Sequence, residues 1–163
     1  MFFKNELKKR IKNEKGLTLI ELLAVIVILA IVAAIAIPAI GNIINNSRAK
    51  AVISDAQNAM SAANIYFTDN ANATNFNNVA TTDTPPVAAM SADDFKAYLD
   101  SSGKLKNVNV VKGSPNKINF TADLSGKTVT GTGLTMDDLN LLKVNKGAIS
   151  LTGGSTGASI NTQ

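Results

Sequence analysis

The chain has three successive patterns of hydrophobic and polar residues, and the first two predict one long helix. Residues 17–40 are apolar on every side of a helix, and Glu21 is the only charged residue among them. Residues 41–67 carry one apolar stripe at spacings of three and four, which is typical of a helix with one buried face. The stripe comprises Ala49, Val52, Ala56, Ala59, Ala63 and Tyr66, with Ile53, Met60 and Phe67 alongside. We therefore predict a single helix over residues 17–67.

The apolar first half of this helix is long enough to cross a membrane. Residues 17–40 would measure about 36 Å as a helix, against about 30 Å of bilayer hydrocarbon. Pro38 removes an amide donor and is followed by Gly41, which predicts a kink or local melting near residues 34–40. A secretory signal cleaved after Ala36 is the alternative, but the helical pattern continues well past that point.

The third pattern, from residue 68 onwards, predicts a small antiparallel sheet with short helices. Residues 68–90 are rich in Asn, Thr and Ala and contain two consecutive prolines, so we expect an exposed loop there. Ser91 is expected to be the N-cap of one short helix, and Thr135 to Asp138 to begin another. Strands are predicted at 105–111, 117–122, 127–131 and 148–151, with a hairpin turn at 123–126 and frayed residues from 153 onwards. The sheet would have three or four strands, with the striped half of the long helix covering one face.

Composition excludes several kinds of site. The chain has no Cys and no His, so it can form no disulfide or thiolate metal site, and it lacks the commonest general base. The sequence contains no phosphate-binding loop and no nucleophile–base pair. We therefore predict no enzymatic activity, no cofactor and no metal. The acidic pairs Asp93-Asp94 and Asp137-Asp138 are interpreted as first-turn acids of short helices rather than as cation ligands.

The positive net charge belongs to the first sixteen residues. They contain six basic and two acidic residues and so account for the whole net charge of +4. The rest of the chain is balanced, and we expect no nucleic-acid partner. Basic residues in front of an apolar segment favour a cytoplasmic N-terminus, so the residues after Ile40 are expected to face outward.

The start of the apolar segment resembles the class III signal of type IV prepilins. Residues 15–23 read Lys-Gly-Leu-Thr-Leu-Ile-Glu-Leu-Leu, in which Gly ends a basic leader and Glu is the fifth residue after it. Pro38 matches the helix proline of that family, which implies a role in assembly. The resemblance covers about residues 1–60 and implies the pilin fold. Leu17 and Ala30 replace the commoner Phe and Gly, and the absence of cysteine is similar to some pilins from Gram-positive bacteria.

The resemblance implies specific roles at this signal. A prepilin peptidase would remove residues 1–16 by cleaving between Gly16 and Leu17, and the new amine of Leu17 would be N-methylated. The retained apolar segment would anchor the precursor in the membrane. An assembly ATPase and a platform protein would then draw the subunits into a helical fibre. A lone carboxylate is costly in an apolar fibre core, so Glu21 would pair with the Leu17 amine of an adjacent subunit and fix the axial register.

These expectations give a leading hypothesis and two alternatives. The leading hypothesis is a structural pilin of α+β fold, with helix 17–67 on a head formed by residues 68–163. Such a protein would form an extracellular type IV pilus, alone or together with minor pilins, for adhesion, aggregation or motility. A pseudopilin of a type II secretion or DNA-uptake system would share the same N-terminus. A membrane-tethered binding domain would instead retain residues 1–16 and would not need Glu21.

Overall fold

The computed structural model of the chain describes residues 18–78 and 90–163. It divides into two compact units, unit 1 (residues 1–40) and unit 2 (residues 41–163). The predicted leader and residues 79–89 of the predicted loop 68–90 lie outside the described residues. The elements in chain order are α1 (Leu19–Asp69), β1 (Asn75–Asn77), α2 (Ala92–Tyr98), β2 (Leu105–Val111), β3 (Lys117–Leu124), β4 (Lys127–Leu134), α3 (Met136–Leu141), β5 (Lys143–Asn145), β6 (Ala148–Ser150) and β7 (Ser159–Thr162).

The long helix α1 begins at Leu19 and ends at Asp69, close to the predicted range. It is helical without a break through residues 34–40, so local melting there is wrong, whereas a kink at Pro38 stays a prediction. Pro38 removes the hydrogen bond to the carbonyl of Ala34, and its ring crowds that carbonyl. The alanines on both sides of Pro38 have the highest intrinsic helix propensity, which favours the surrounding helical bonds.

In unit 2, the striped face of α1 packs against one face of the sheet. The buried residues of α1 are Ala49, Val52, Ala56, Ala59, Met60, Ala62, Ala63 and Phe67, and Ile53 and Tyr66 are partly buried beside them. The sheet contributes Val108, Val110, Ile118, Phe120, Val129 and Leu134 to the same cluster. The stripe read from the sequence is thus confirmed as the core face. The predicted α+β class, a long helix on an antiparallel sheet as in pilins, is also confirmed.

The main sheet has five strands in the order β1-β2-β3-β4-β7, and every neighbouring pair is antiparallel. Two of the strands occupy segments for which the sequence predicted none. β1 lies in the predicted loop, where Phe76 is fully buried. β7 lies in the predicted frayed end and pairs with β4, with Ile160 opposite Gly131. Each of these strands has one large apolar residue, which is too weak a pattern to predict a strand from the sequence.

A second, two-stranded sheet is formed by β5 and β6. The segment predicted as the last strand of the head is β6, and its hydrogen-bonded neighbour is β5 rather than a strand of the main sheet. The predicted hairpin is confirmed as β3 and β4, but its turn is shorter, with Ser125 and Gly126 between the strands. The register between β3 and β4 at this end of the hairpin therefore depends on a two-residue turn.

The two short helices begin where the sequence predicts. Ser91 accepts a hydrogen bond from the backbone N–H of Asp94, and Thr135 accepts one from that of Asp138. The first helix, α2, ends at Tyr98. Both acidic pairs thus lie in helix first turns, as interpreted from the sequence.

Candidate processing and assembly segment

The predicted cleavage residues Gly16 and Leu17 lie just outside the described residues, which begin at Thr18. Thr18 is the N-cap of α1, because its carbonyl accepts the first helical hydrogen bond, from Leu22 N, at 3.1 Å.

Thr18 and Glu21 form a capping box at the start of α1. The backbone N–H of Glu21 donates to Thr18 Oγ1 at 3.3 Å, and the backbone N–H of Thr18 donates to Glu21 Oε2 at 2.8 Å. The Thr18 hydroxyl also donates to Glu21 Oε2, at 2.7 Å. Two of these bonds hold the carboxylate against the first turn of the helix, and the third closes the box through the Glu21 backbone N–H.

The capping box is a feature that the sequence interpretation missed. Thr18-Leu19-Ile20-Glu21 fits the pattern Ser/Thr-x-x-Glu before an apolar run, so the signal was present in the sequence. The interpretation assigned Glu21 a partner in another subunit only. Within a single chain, the carboxylate already has a local partner in Thr18.

The capping box leaves room for a further partner on Glu21. All three hydrogen bonds with Thr18 use either the Glu21 backbone N–H or Oε2, whereas an ionised carboxylate can accept about four hydrogen bonds over its two oxygens. Cleavage between Gly16 and Leu17 would keep the peptide bond that supplies the Thr18 N–H. The box is therefore compatible with a mature chain that starts at Leu17.

The helix surface that follows the box is apolar and exposed. Large side chains from Leu19 to Ile37 are exposed, including Leu19 at 84% and Ile35 at 71% of their surface. Within the described residues, α1 is the one helix long and apolar enough to cross a membrane by length and composition. Such an area of apolar surface is costly in water, so this part of the chain needs lipid or protein around it.

The acidic side chains in the described part of unit 2 form no metal site. Among the described residues, no three acidic side chains are grouped closely enough to hold a metal ion. The buried Asp138 carboxylate accepts hydrogen bonds from Thr135 N at 2.9 Å, Thr135 Oγ1 at 2.8 Å and Ser155 N at 2.7 Å. Burial raises the pKa of Asp138, but these hydrogen bonds outweigh that effect and hold the pKa below its ordinary value. This carboxylate joins α3 to the loop before β7, a structural role.

Comparison with known proteins identifies one family, at the N-terminus. A family described as the prokaryotic N-terminal methylation motif matches residues 11–37. The matched range contains Gly16, Leu17 and Glu21 and ends one residue before Pro38. No curated protein and no solved structure matches the chain. The chain therefore carries a methylation motif typical of type IV pilins and pseudopilins, together with a pilin-like fold.

Proposed function

We propose that this chain is the structural subunit of an extracellular type IV pilus. The observation that carries the proposal is the placement of Glu21. It is fixed in the first turn of a helix whose first half is otherwise apolar and exposed, inside a matched N-terminal methylation motif. A carboxylate held there suits pairing between subunits better than contact with lipid, because a charge in hydrocarbon is strongly disfavoured.

In this proposal, each segment of the chain has a separate role. Residues 1–16 are a leader removed by a prepilin peptidase at Gly16–Leu17, and the Leu17 amine is then methylated. Residues 17–40 first anchor the precursor in the cytoplasmic membrane and later form the fibre core. Residues 41–67 pack on the head, and residues 68–163 complete it. A platform protein and an assembly ATPase drive the transfer from membrane to fibre.

Glu21 sets the axial register in this proposal. Its capping box fixes the carboxylate relative to the helix backbone, so its position along the axis is the same in every subunit. The free acceptor positions of Glu21 would take the methylated Leu17 amine of a neighbouring subunit. A subunit that inserted out of register would leave both charges unpaired in an apolar surrounding, which is costly. Pro38 removes a helical bond at Ala34, which would ease adjustment of the helix during assembly.

Mass spectrometry of the N-terminus of the surface-exposed protein tests the processing step. We expect the mature chain to begin with N-methylated Leu17. A chain that retains Met1 would contradict the proposal, and a chain that begins at Ile37 would indicate ordinary secretion. Gly16→Leu is the control, because a side chain at this position should block close approach of the peptidase to the backbone and leave the precursor uncut.

A pseudopilin is the second candidate, because the methylation motif is typical of both classes. Immunogold electron microscopy of intact cells separates them. Long surface fibres labelled along their length by an antibody to residues 90–163 would support a pilin. Normal processing without surface fibres would favour a pseudopilin instead.

A further inference from the structure

Two hairpin tips of unit 2 contact the same short stretch of α1. In the β3–β4 turn, the Ser125 hydroxyl donates to Asn45 Oδ1 at 3.1 Å and accepts from Arg48 Nη1 at 3.1 Å. In the β5–β6 turn, the backbone N–H of Gly147 donates to Asn46 Oδ1 at 2.8 Å. Both tips are thus fixed to residues 45–48.

These tips bring three exposed basic side chains to one end of unit 2. Lys127 follows the first turn, Lys146 lies in the second, and Arg48 lies on α1 between them. We call Arg48, Lys127 and Lys146 the basic rim. The acidic residue of the same hairpin, Asp123, is engaged with Lys106 Nζ at 3.4 Å. The basic rim therefore has a net positive charge.

A cavity of about 180 Å³ lies between the two tips. Its polar lining includes Asn45, Ser125, Lys127, Lys146 and Thr162. The cavity is about six times the ~30 Å³ that one water occupies in the liquid, so it can hold a polar group together with water. The two ammonium groups in the lining suit an anion.

The backbone at Lys146 gives a second, independent indication. Lys146 has φ +48° and Gly147 has φ +79°, which together indicate a type I′ turn. Asn, Asp or Gly is favoured at the first of these positions, and a lysine there is conformationally costly. Within the described residues, Lys146 makes no hydrogen bond or ion pair that would offset this cost. Backbone strain of this kind is concentrated at functional sites.

The basic rim also lies near the point where unit 2 would leave a membrane. Arg48 follows Gly41 by about 10 Å of helix rise, and Ile43 and Ile44 between them are exposed. The headgroup layer adds about 5–8 Å on each side of the hydrocarbon core. Long basic side chains reach several ångströms towards such a surface while their stems contact apolar groups.

We propose that the basic rim binds the phosphate groups of anionic phospholipids on the side of the membrane where unit 2 emerges. The cavity between the tips receives one phosphate, held by Lys127 and Lys146, and Arg48 contacts an adjacent headgroup. This interaction orients the head while the subunit waits in the membrane. It rests on one part of the proposed function, the insertion of residues 17–40, and is independent of fibre formation.

Hydrogen exchange of the mature chain in lipid nanodiscs tests the proposal. One set of nanodiscs contains phosphatidylcholine alone, and the other contains phosphatidylcholine with phosphatidylglycerol. We expect slower exchange in the segments 124–128 and 144–149 when phosphatidylglycerol is present, and a loss of that difference at high salt. The expected slowing is about fivefold for each basic side chain engaged, the usual attraction of a lysine or arginine to an anionic surface.

The chain offers matched variants for this experiment. Lys146→Asn removes a charge but places a favoured residue in the type I′ turn, so the head should remain folded while the slowing falls about fivefold. Lys146→Arg should retain the slowing. Lys117→Gln removes an exposed charge at the opposite end of β3 and should have no effect.

The outcomes separate this proposal from the proposed function. Equal exchange in both kinds of nanodisc, with residues 19–40 protected, would overturn the lipid site alone. Unprotected residues 19–40 would overturn membrane insertion and the lipid site together. Equal slowing on adding inorganic phosphate to phosphatidylcholine nanodiscs would show a site for a soluble anion and would also overturn the proposal.

Discussion

At the scale of single residues, Glu21 and Asp138 show that a capping-box carboxylate can have different roles. Both carboxylates accept hydrogen bonds from the N-cap threonine of their own helix, Thr18 and Thr135 respectively. Asp138 is buried and also bonds to Ser155, so its bonds hold the head together. Glu21 is exposed on the apolar half of α1, so the remaining hydrogen-bond acceptor positions of its carboxylate are accessible to another chain. Burial and further partners distinguish a structural capping box from one proposed for assembly.

Removal of the Glu21 charge should impair fibre assembly more than removal of its local partner. We expect Glu21→Ala and Glu21→Gln to insert and be cleaved but to give few surface fibres, because neither can pair with an ammonium group. Thr18→Ala should give an intermediate loss, since the Thr18 backbone N–H still binds the carboxylate. Thr18→Ser keeps the hydroxyl and serves as control. Immunoblots of sheared fibres measure the effect, and normal fibre yield from Glu21→Ala would contradict the register argument.

Asp138→Asn should lower the stability of the head at neutral pH. An amide supplies only one acceptor oxygen to these donors, and a buried donor without a partner costs about 1–3 kcal/mol. Because the folded-state pKa of Asp138 is lowered, its stabilising contribution is complete above the unfolded-state pKa of about 3.9. The contribution is then lost as the pH falls through the folded-state pKa.

The difference in unfolding free energy between wild type and Asp138→Asn should thus shrink below about pH 4. Urea unfolding of the detergent-solubilised chain, followed by tyrosine fluorescence, measures it, because both tyrosines lie in unit 2. The exposed neighbour offers a control, Asp137→Asn, which should change stability little. A difference that stays constant down to pH 2 would refute the assigned pKa direction.

At the scale of elements, small residues set how closely α1 approaches the sheet. Five alanines lie on the buried face of the helix, where a larger side chain would separate the two layers. Sequence periodicity located this face because burial on a helix repeats every three to four residues. The pairing of β7 with β4, in contrast, joins distant residues, so the local sequence of β7 contains no equally strong pattern.

Ala59→Leu should destabilise the head by about 1–3 kcal/mol through overpacking. Ala59 is fully buried, whereas the adjacent Asn58 is exposed. Asn58→Leu is the matched control and should change stability little. Urea unfolding measures both variants, and similar effects from the two would contradict the assigned face of the helix.

Asn161→Pro should destabilise the main sheet more than Thr162→Pro. Thr128 and Gln163 exchange two backbone hydrogen bonds, so by alternation the N–H of Asn161 points towards β4 and that of Thr162 points away. Only the first substitution removes a ladder bond, at a cost of about 1 kcal/mol. Thermal unfolding compares the two, and a larger effect at Thr162 would show that the edge of β7 is itself paired.

At the scale of the whole molecule, the two units differ in what they need from their surroundings. Unit 2 has its own buried core, whereas the described part of unit 1 exposes nearly all its apolar side chains. In the proposed function, unit 1 would exchange lipid for neighbouring subunits, and unit 2 would keep its own core in both states.

Residues 41–163 should therefore fold without unit 1. We expect this fragment to be soluble without detergent and to unfold in one cooperative transition, because the whole hydrophobic cluster lies within it. The mature chain from residue 17 should require detergent. Circular dichroism and gel filtration test both, and a fragment with no cooperative transition would show that the head depends on unit 1.

The sequence by itself determined the features that depend on neighbouring residues. The apolar segment, the stripe of α1 and the caps at Ser91 and Thr135 result from helical spacing and local hydrogen bonds. The signal around Gly16 and Glu21 is also local, and so was the overlooked capping box with Thr18. Composition alone limited the chemistry open to the chain, because cysteine and histidine are absent.

Only the tertiary structure decided the features that depend on distant residues. β1 and β7 become strands because β2 and β4 pair with their backbones, and backbone pairing requires no long apolar pattern. The separation of β5 and β6 into a second sheet likewise follows from three-dimensional packing. The basic rim joins side chains from three distant parts of the chain. Their proximity is created by two turns that contact α1, which spacing along the sequence does not reveal.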